Sequence, residues 1–189
     1  MSTILNSIFG RQNDEIASFL DALSQEDHHK MASSFMQTQN ISVHSGRYKF
    51  TSQLEVGETL LTRDDGPVEI LDIQPLHLDS ATVMPVMPVV HVEKRRFVNS
   101  KELVLSPLHM VRCDIEHNSD IDHQPRYSAA GVALMQPVYA RIGDLVDGDK
   151  IRTDFMLTTA FRQITLKKDA AIYVEGQAIK VELCVKSAE

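Results

Sequence analysis

The sequence predicts an all-β domain of compact, pseudo-twofold build, preceded by one α-helix. Three observations predict it. From Ile41 onward, short apolar runs alternate with turn residues at close spacing, the pattern of a β domain. A pattern then occurs twice, as Leu54-x-x-Gly57-Glu58-x-Leu60-x-Thr62 and as Leu145-x-x-Gly148-Asp149-x-Ile151-x-Thr153, offset by 91 residues throughout. Two copies are too few for a solenoid and suggest a domain of two related halves. Ahead of Ser34 the pattern is instead helical, so the chain divides into an N-terminal helical segment, 1–33, and a β domain, 34–189.

The helix is placed over about 14–25. Asn13 and Asp14 can cap it, and Ile16, Phe19, Leu20 and Leu23 follow at i, i+3, i+4 and i+7, one apolar stripe. Gln25-Glu-Asp-His-His-Lys30 is polar and ends it. Such a stripe packs on its own domain, with pairing of two chains through it as the alternative. His28 and His29 read as a solvated cap.

In the β domain, Leu60-Leu-Thr62 and Val68–Ile73 flank Arg63-Asp-Asp-Gly66 as a hairpin, with Asp65-Gly66 supplying positive φ for a tight primed turn. Residues 88–98 suit another strand. Near the end, 170–174 and 178–185 flank Glu175-Gly-Gln177. In the last run Ile179, Val181, Leu183 and Val185 face one way and Lys180, Glu182 and Lys186 the other, a half-buried antiparallel strand. Residues 74–88, with three prolines, and 114–126, rich in Asp, His and Asn, read as loops.

Composition bounds the function. The chain has 189 residues, 43% apolar and 24% charged, an ordinary globular balance with a core that needs no staples. A net charge of −7 argues against a grip on phosphate backbones, so no nucleic-acid partner is expected. The cluster Lys94-Arg95-Arg96 reads as a β surface or a partner contact rather than a nucleic-acid site. No apolar run approaches the roughly 18–20 residues of a membrane span. The first residues lack the cationic and apolar regions of a Sec signal, so the cytoplasm is expected, with signal-less export as the other route. Cys113 and Cys184 match no metal or redox spacing. His109, Cys113, Asp114 and His117 match no standard zinc pattern, and Asp120 and Asp122 lack the spacing of a calcium loop. No cofactor or metal is expected. The Met84–Met87 segment reads as loop packing.

Ser106-Pro-Leu-His109 follows the apolar run Leu103-Val-Leu105, and Pro107 predicts a strand end or sharp bend there. The residue alone reads as an ordinary hydrogen-bonded histidine.

Taken together, Leu54–Thr62, Ser106–His109 and Leu145–Thr153, in that order, resemble the Hint family, the fold of hedgehog autoprocessing domains and inteins, and among these bacterial stand-alone Hint proteins. That family carries the Gly-Asp/Glu element once in each half and a Thr/Ser-Pro-x-His element between them. The resemblance spans about 34–185. The family's opening pattern, Cys-Phe-x-x-Gly-x-x-Ile-x-Thr-x-x-Gly, falls on Ser34-Phe35, Thr38, Ile41 and Gly46. The resemblance therefore implies Ser34 as nucleophile, His109 as the group assisting departure of the amine, and Ser106 as an orienting residue.

The implied chemistry is an intramolecular N-to-O acyl shift at Ser33–Ser34, with the chain's own N-terminal segment as substrate in cis. Adjacency of nucleophile and carbonyl lowers the entropic cost. A serine in place of cysteine implies slow or degenerate processing, because a hydroxyl is far less acidic than a thiol. The terminal run Val185-Lys-Ser-Ala-Glu189 lacks the Asn with which inteins finish, so splicing is not expected; His117-Asn118-Ser119 is a loop coincidence. The competing class is a non-catalytic binding or assembly module on the same scaffold, engaging a protein partner through its loops or a second copy through the N-terminal helix.

Overall fold

A computed structural model describes residues 14–63, 66–79, 85–113 and 139–181. Residues 14–21 are helical (α1), and Gln25–Ala32 forms a second helix (α2). The strands are β1 (Ser34–Met36), β2 (Asn40–Ser42), β3 (Tyr48–Phe50), β4 (Thr59–Leu60), β5 (Val68–Pro75), β6 (Val86–Val92) and β7 (Leu103–Leu105). They continue with β8 (Met110–Arg112), β9 (Tyr139–Arg141), β10 (Ile151–Leu157), β11 (Phe161–Leu166), β12 (Ala170–Val174) and β13 (Gln177–Val181). The domain is all-β behind its helices.

The two sequence repeats become two copies of one local structure. β3 leads into a 3₁₀ turn over Thr51–Gln53, and β9, at the same 91-residue offset, leads into a 3₁₀ turn over Ile142–Leu145. Each turn is followed by a glycine at positive φ, Gly57 at 87° and Gly148 at 76°, a conformation an L side chain rarely adopts. Each copy then enters a strand, β4 or β10.

A six-stranded antiparallel sheet joins the halves in the order β3-β2-β12-β13-β8-β9. The order is palindromic: an approximate dyad between β12 and β13 exchanges β2 with β8 and β3 with β9. At its centre Ile172 pairs with Ile179, both wholly buried. Two smaller antiparallel sheets, β1-β11-β5-β4 and β10-β6-β7, complete the domain. The main core draws on both halves, from Phe35, Ile41, Leu54 and Leu60 to Ile142, Ile151, Ile172 and Ile179.

The N-terminal segment differs from the single helix expected over 14–25. α1 gives way to a turn at 22–23, and Ser24 caps a new helix, its Oγ accepting from the Asp27 N–H at 3.1 Å. Glu26 and Asp27 lie in the first turn of α2 and His29 and Lys30 in the last, matching the helix dipole. The polar run was therefore a capped helix, not a helix end. Ile16 is buried, while Phe19, Leu20 and Leu23 pack on a second core cluster with Met31, Leu76, Leu78 and Met87. The apolar stripe is covered by the chain's own domain.

Three strand boundaries also differ. The 60–73 hairpin forms, pairing Thr59 with Glu69 and Leu60 with Val68. Gly66 does have positive φ, at 67°, but Thr62 leaves the hairpin to bridge Ile172. The strand expected over 88–98 is β6 over 86–92. It stops at a turn where Arg95 has φ 66° and buried Asn99 donates through Nδ2 to the carbonyls of Glu93, at 2.9 Å, and Lys101, at 2.7 Å. Lys94-Arg95-Arg96 is thus a turn, with Arg96 Nε 3.9 Å from Asp147 Oδ2. The expected loop at 74–88 is narrower, since β5 reaches Pro75 and β6 starts at Val86. The 114–126 loop, Asp65, Cys184 and the end of the final strand lie outside the described residues. Among the described residues, no helix is long and apolar enough to cross a membrane.

Candidate functional site

His109 sits in the short connection between β7 and β8, in the bend that Pro107 predicts after the apolar strand. The connection is a self-bonded turn. Leu108 N–H donates to Ser106 Oγ at 3.2 Å, and His109 N–H donates to the Ser106 carbonyl at 3.1 Å. The imidazole folds back on the same turn, Nδ1 accepting from the Ser106 N–H at 3.0 Å, with the Ser106 carbonyl 3.3 Å away. As Nδ1 is the acceptor, the proton of the neutral ring is assigned to Nε2. Nε2 is buried and has no hydrogen-bond partner among the described residues.

The 3₁₀ turn that leads into the second repeat grips this turn from outside. Ile142 N–H donates to the His109 carbonyl at 2.9 Å, and Gly143 N–H to the Pro107 carbonyl at 3.0 Å. Glycine is required at 143 because a Cβ there would stand 2.9 Å from the Pro107 carbonyl oxygen. Pro107 also lines a cleft of about 370 Å³ between Ile16 and Leu20 of α1 and Asp144 and Thr153 of the second half.

His109 is wholly buried. Burial holds its pKa down, to about 4, outweighing the Ser106 carbonyl, which favours the charged ring. At neutral pH the ring is therefore neutral, a donor through Nε2–H and no reservoir of positive charge. The Phe35 ring packs against it, centroids 4.8 Å apart and planes tilted by 44°.

Phe35 is the neighbour of Ser34 on β1, so the fold brings the imidazole to the strand that carries the expected nucleophile. Side chains alternate along a strand. Phe35 takes the imidazole side, and the Ser34 side chain turns toward α2. Its hydroxyl, wholly buried, donates in a short hydrogen bond to the Lys30 carbonyl. A carbonyl accepts that proton bond but cannot remove the proton, so Ser34 rests unactivated. Ser33 is the C-cap of α2: its N–H and Oγ both donate to the His29 carbonyl, at 3.1 and 2.9 Å. The carbonyl of the Ser33–Ser34 peptide accepts from the Ile164 N–H of β11 at 3.0 Å, extending the pairing that sets Ser34 opposite Gln163. Ser106 Oγ, expected to orient that peptide, is engaged by the Leu108 N–H of its own turn.

Two parts of the site were not singled out from the sequence. Gly143 had no signal beyond its place just before the second repeat. The Ile164 N–H is a backbone group placed by the pairing of β1 with β11, which no local pattern encodes. Among the described residues, no three His, Cys, Asp or Glu side chains could hold a metal ion. Asp114 and His117, and with them the His117-Asn118-Ser119 run, lie outside those residues.

No family model and no curated protein matches the chain. Among solved structures it is similar to the gp41-1 intein, at 14% identity over 77% of this chain and 96% of that one, with a TM-score of 0.42. It is also similar to two structures of the MchDnaB-1 intein. One is 12% identical over 78% of this chain and 98% of that one, the other 14% over 77% and 97%, both with a TM-score of 0.39.

Proposed function

We propose that this chain is a Hint-like self-processing domain whose one reaction, an N-to-O acyl shift at Ser33–Ser34, runs at a degenerate, slow rate. The observation that carries the reading is the state of that junction. The Ser33 carbonyl already accepts from the Ile164 N–H, while the adjacent Ser34 hydroxyl donates to the Lys30 carbonyl with no base among its partners. The repeated Gly-turn element, the palindromic sheet and the Ser106–His109 turn support the scaffold part of the reading.

In the shift, Ser34 Oγ bonds to the Ser33 carbonyl carbon and the Ser33–Ser34 C–N bond breaks. The hydroxyl proton ends on the departing amine. Water then opens the ester, leaving a carboxylate on Ser33 and restoring the Ser34 hydroxyl. Adjacency supplies the encounter. The Ile164 N–H is placed to stabilise negative charge on the Ser33 oxygen. His109, neutral and protonated on Nε2, serves as a hydrogen-bond donor on the Phe35 side of β1.

Intact-mass measurement of the purified chain tests this, with and without hydroxylamine or dithiothreitol. The wild-type protein is expected to stay intact in buffer and to release slowly, with hydroxylamine, a fragment beginning at Ser34. Ser34→Cys should raise cleavage at the same bond at least about tenfold, sulfur being the better nucleophile. Ser34→Ala should abolish it. An intact mass for Ser34→Cys under every condition would overturn the reading and favour a non-catalytic binding module.

A further inference from the structure

One wholly buried carboxylate has no part in the reaction above: Asp27, on α2. Its Oδ1 accepts from the Asp79 backbone N–H at 2.9 Å and lies 3.8 Å from Lys30 Nζ. Lys30 Nζ itself donates to Asp79 Oδ2 at 2.6 Å and stands 3.2 Å from Glu26 Oε1. Asp79 closes a short strap after β5 in which Leu76 and Leu78 pack in the same cluster as Met31 of α2. α2 is thus joined to the strap by an apolar layer and, at its edge, by a buried charged hydrogen bond. In its last turn, the carbonyls of His29 and Lys30 accept the hydroxyls of Ser33 and Ser34. A continuous path of contacts runs from Asp79 through Asp27 and α2 to Ser34 Oγ.

Resting on the reading of Ser33–Ser34 as the reacting bond, we propose that Asp27 is a positioning residue for that reaction. By fixing α2 on the 76–79 strap it holds the Ser34 hydroxyl on the Lys30 carbonyl, and so restrains the acyl shift. A buried carboxylate bonded to a backbone amide is a costly device for a surface helix of eight residues. Met31 alone would anchor the helix by apolar burial. The charged bond adds a fixed register, and register decides where the last-turn carbonyls meet the two serines. Loosening the bond frees Oγ to turn to the Ser33 carbonyl carbon, with bonds and proton moving as described above.

The test uses the full chain. Asp27→Ala should raise the hydroxylamine-dependent rate at Ser33–Ser34 by about tenfold to a hundredfold, the scale of one lost hydrogen bond to a charged group. Asp27→Asn keeps an oxygen for the Asp79 N–H and should return the rate to near wild type, a rescue that a merely destabilised helix would not show. Adding Ser34→Ala to Asp27→Ala should remove the fragment. If Asp27→Ala does not fold, Lys30→Met, which loses the outer ion pairs but keeps the apolar stem, should raise the rate in the same direction. An unchanged or lower rate in the folded variant, while Ser34→Cys cleaves with dithiothreitol, overturns the role of Asp27 and leaves the processing reading standing. A Ser34→Cys protein that never cleaves overturns both.

Discussion

Burying an imidazole without charging it ties the stability of the protein to pH. His109 titrates near 4 in the folded chain and near 6.5 when exposed. Between those values the unfolded chain binds more protons, so stability rises with pH across the window and is lost as pH falls through it. The two values imply a loss of about 2 kcal/mol from this group between pH 7 and pH 4.5. Urea unfolding at both pH values should show that loss in wild type, over and above whatever His109→Gln loses. Equal losses in the two proteins would remove His109 as the cause. Gly143 makes a second prediction at this scale. Gly143→Ala forces a Cβ to 2.9 Å from a backbone oxygen that cannot rotate away. A cost of about 1–3 kcal/mol is expected, read as a lower urea midpoint, with a shift of the His109 ring resonances, since Ile142 holds the His109 carbonyl. Of these residues, His109 stood out only through the Ser106-Pro-Leu-His109 pattern taken with the two repeats; Pro107 and the preceding apolar strand marked only the bend that holds it. The sequence could not show that Phe35 rather than Ser34 takes the imidazole side of β1, because a three-residue strand carries too short a pattern to assign its faces.

At the scale of elements, the two glycine turns were readable because positive φ leaves a mark in residue type: Gly57 and Gly148 stand where few other residues could. The repeat in fact reaches further upstream than the matching letters, to β3 and β9, whose residues differ apart from Tyr48 and Tyr139. α2 went unread for the opposite reason. Its buried residues are Asp27 and Met31, so its inward face carries one apolar side chain and no stripe. The remaining signal was Ser24 followed three residues later by Asp27, the spacing of a capped helix start. That cap should matter: Ser24→Ala is expected to cost about 1 kcal/mol, read as a lower denaturation midpoint with unchanged cooperativity. The loop after β6 shows how a charged run misleads. Glu93-Lys94-Arg95-Arg96 continues an apolar strand in sequence, yet buried Asn99 gathers the carbonyls of Glu93 and Lys101 and closes the segment into a turn.

On the scale of the whole molecule, the halves are related by sequence and joined by a hairpin, and the joint decides how the protein unfolds. β12 pairs with β2 of the first half, and β13 pairs with β8 of the second. The hairpin they form is therefore shared by both halves, and the main core crosses the dyad with it. Neither half can lose that hairpin without exposing apolar surface in the other. Sequence periodicity could suggest two lobes but not this joint, since pairings between distant strands are set by tertiary contacts. Cooperative unfolding of both halves follows. Ile179→Ala, at the wholly buried centre of the hairpin, should cost about 2–5 kcal/mol. Native-state hydrogen exchange can follow one amide on each side, Thr51 N–H bonded to the Gln39 carbonyl and Ile142 N–H bonded to the His109 carbonyl. Both should lose protection by the same free energy in Ile179→Ala, because both report one global opening. Loss at Ile142 with full protection kept at Thr51 would mean that the halves open independently, and the pseudo-twofold domain would then be two folding units rather than one.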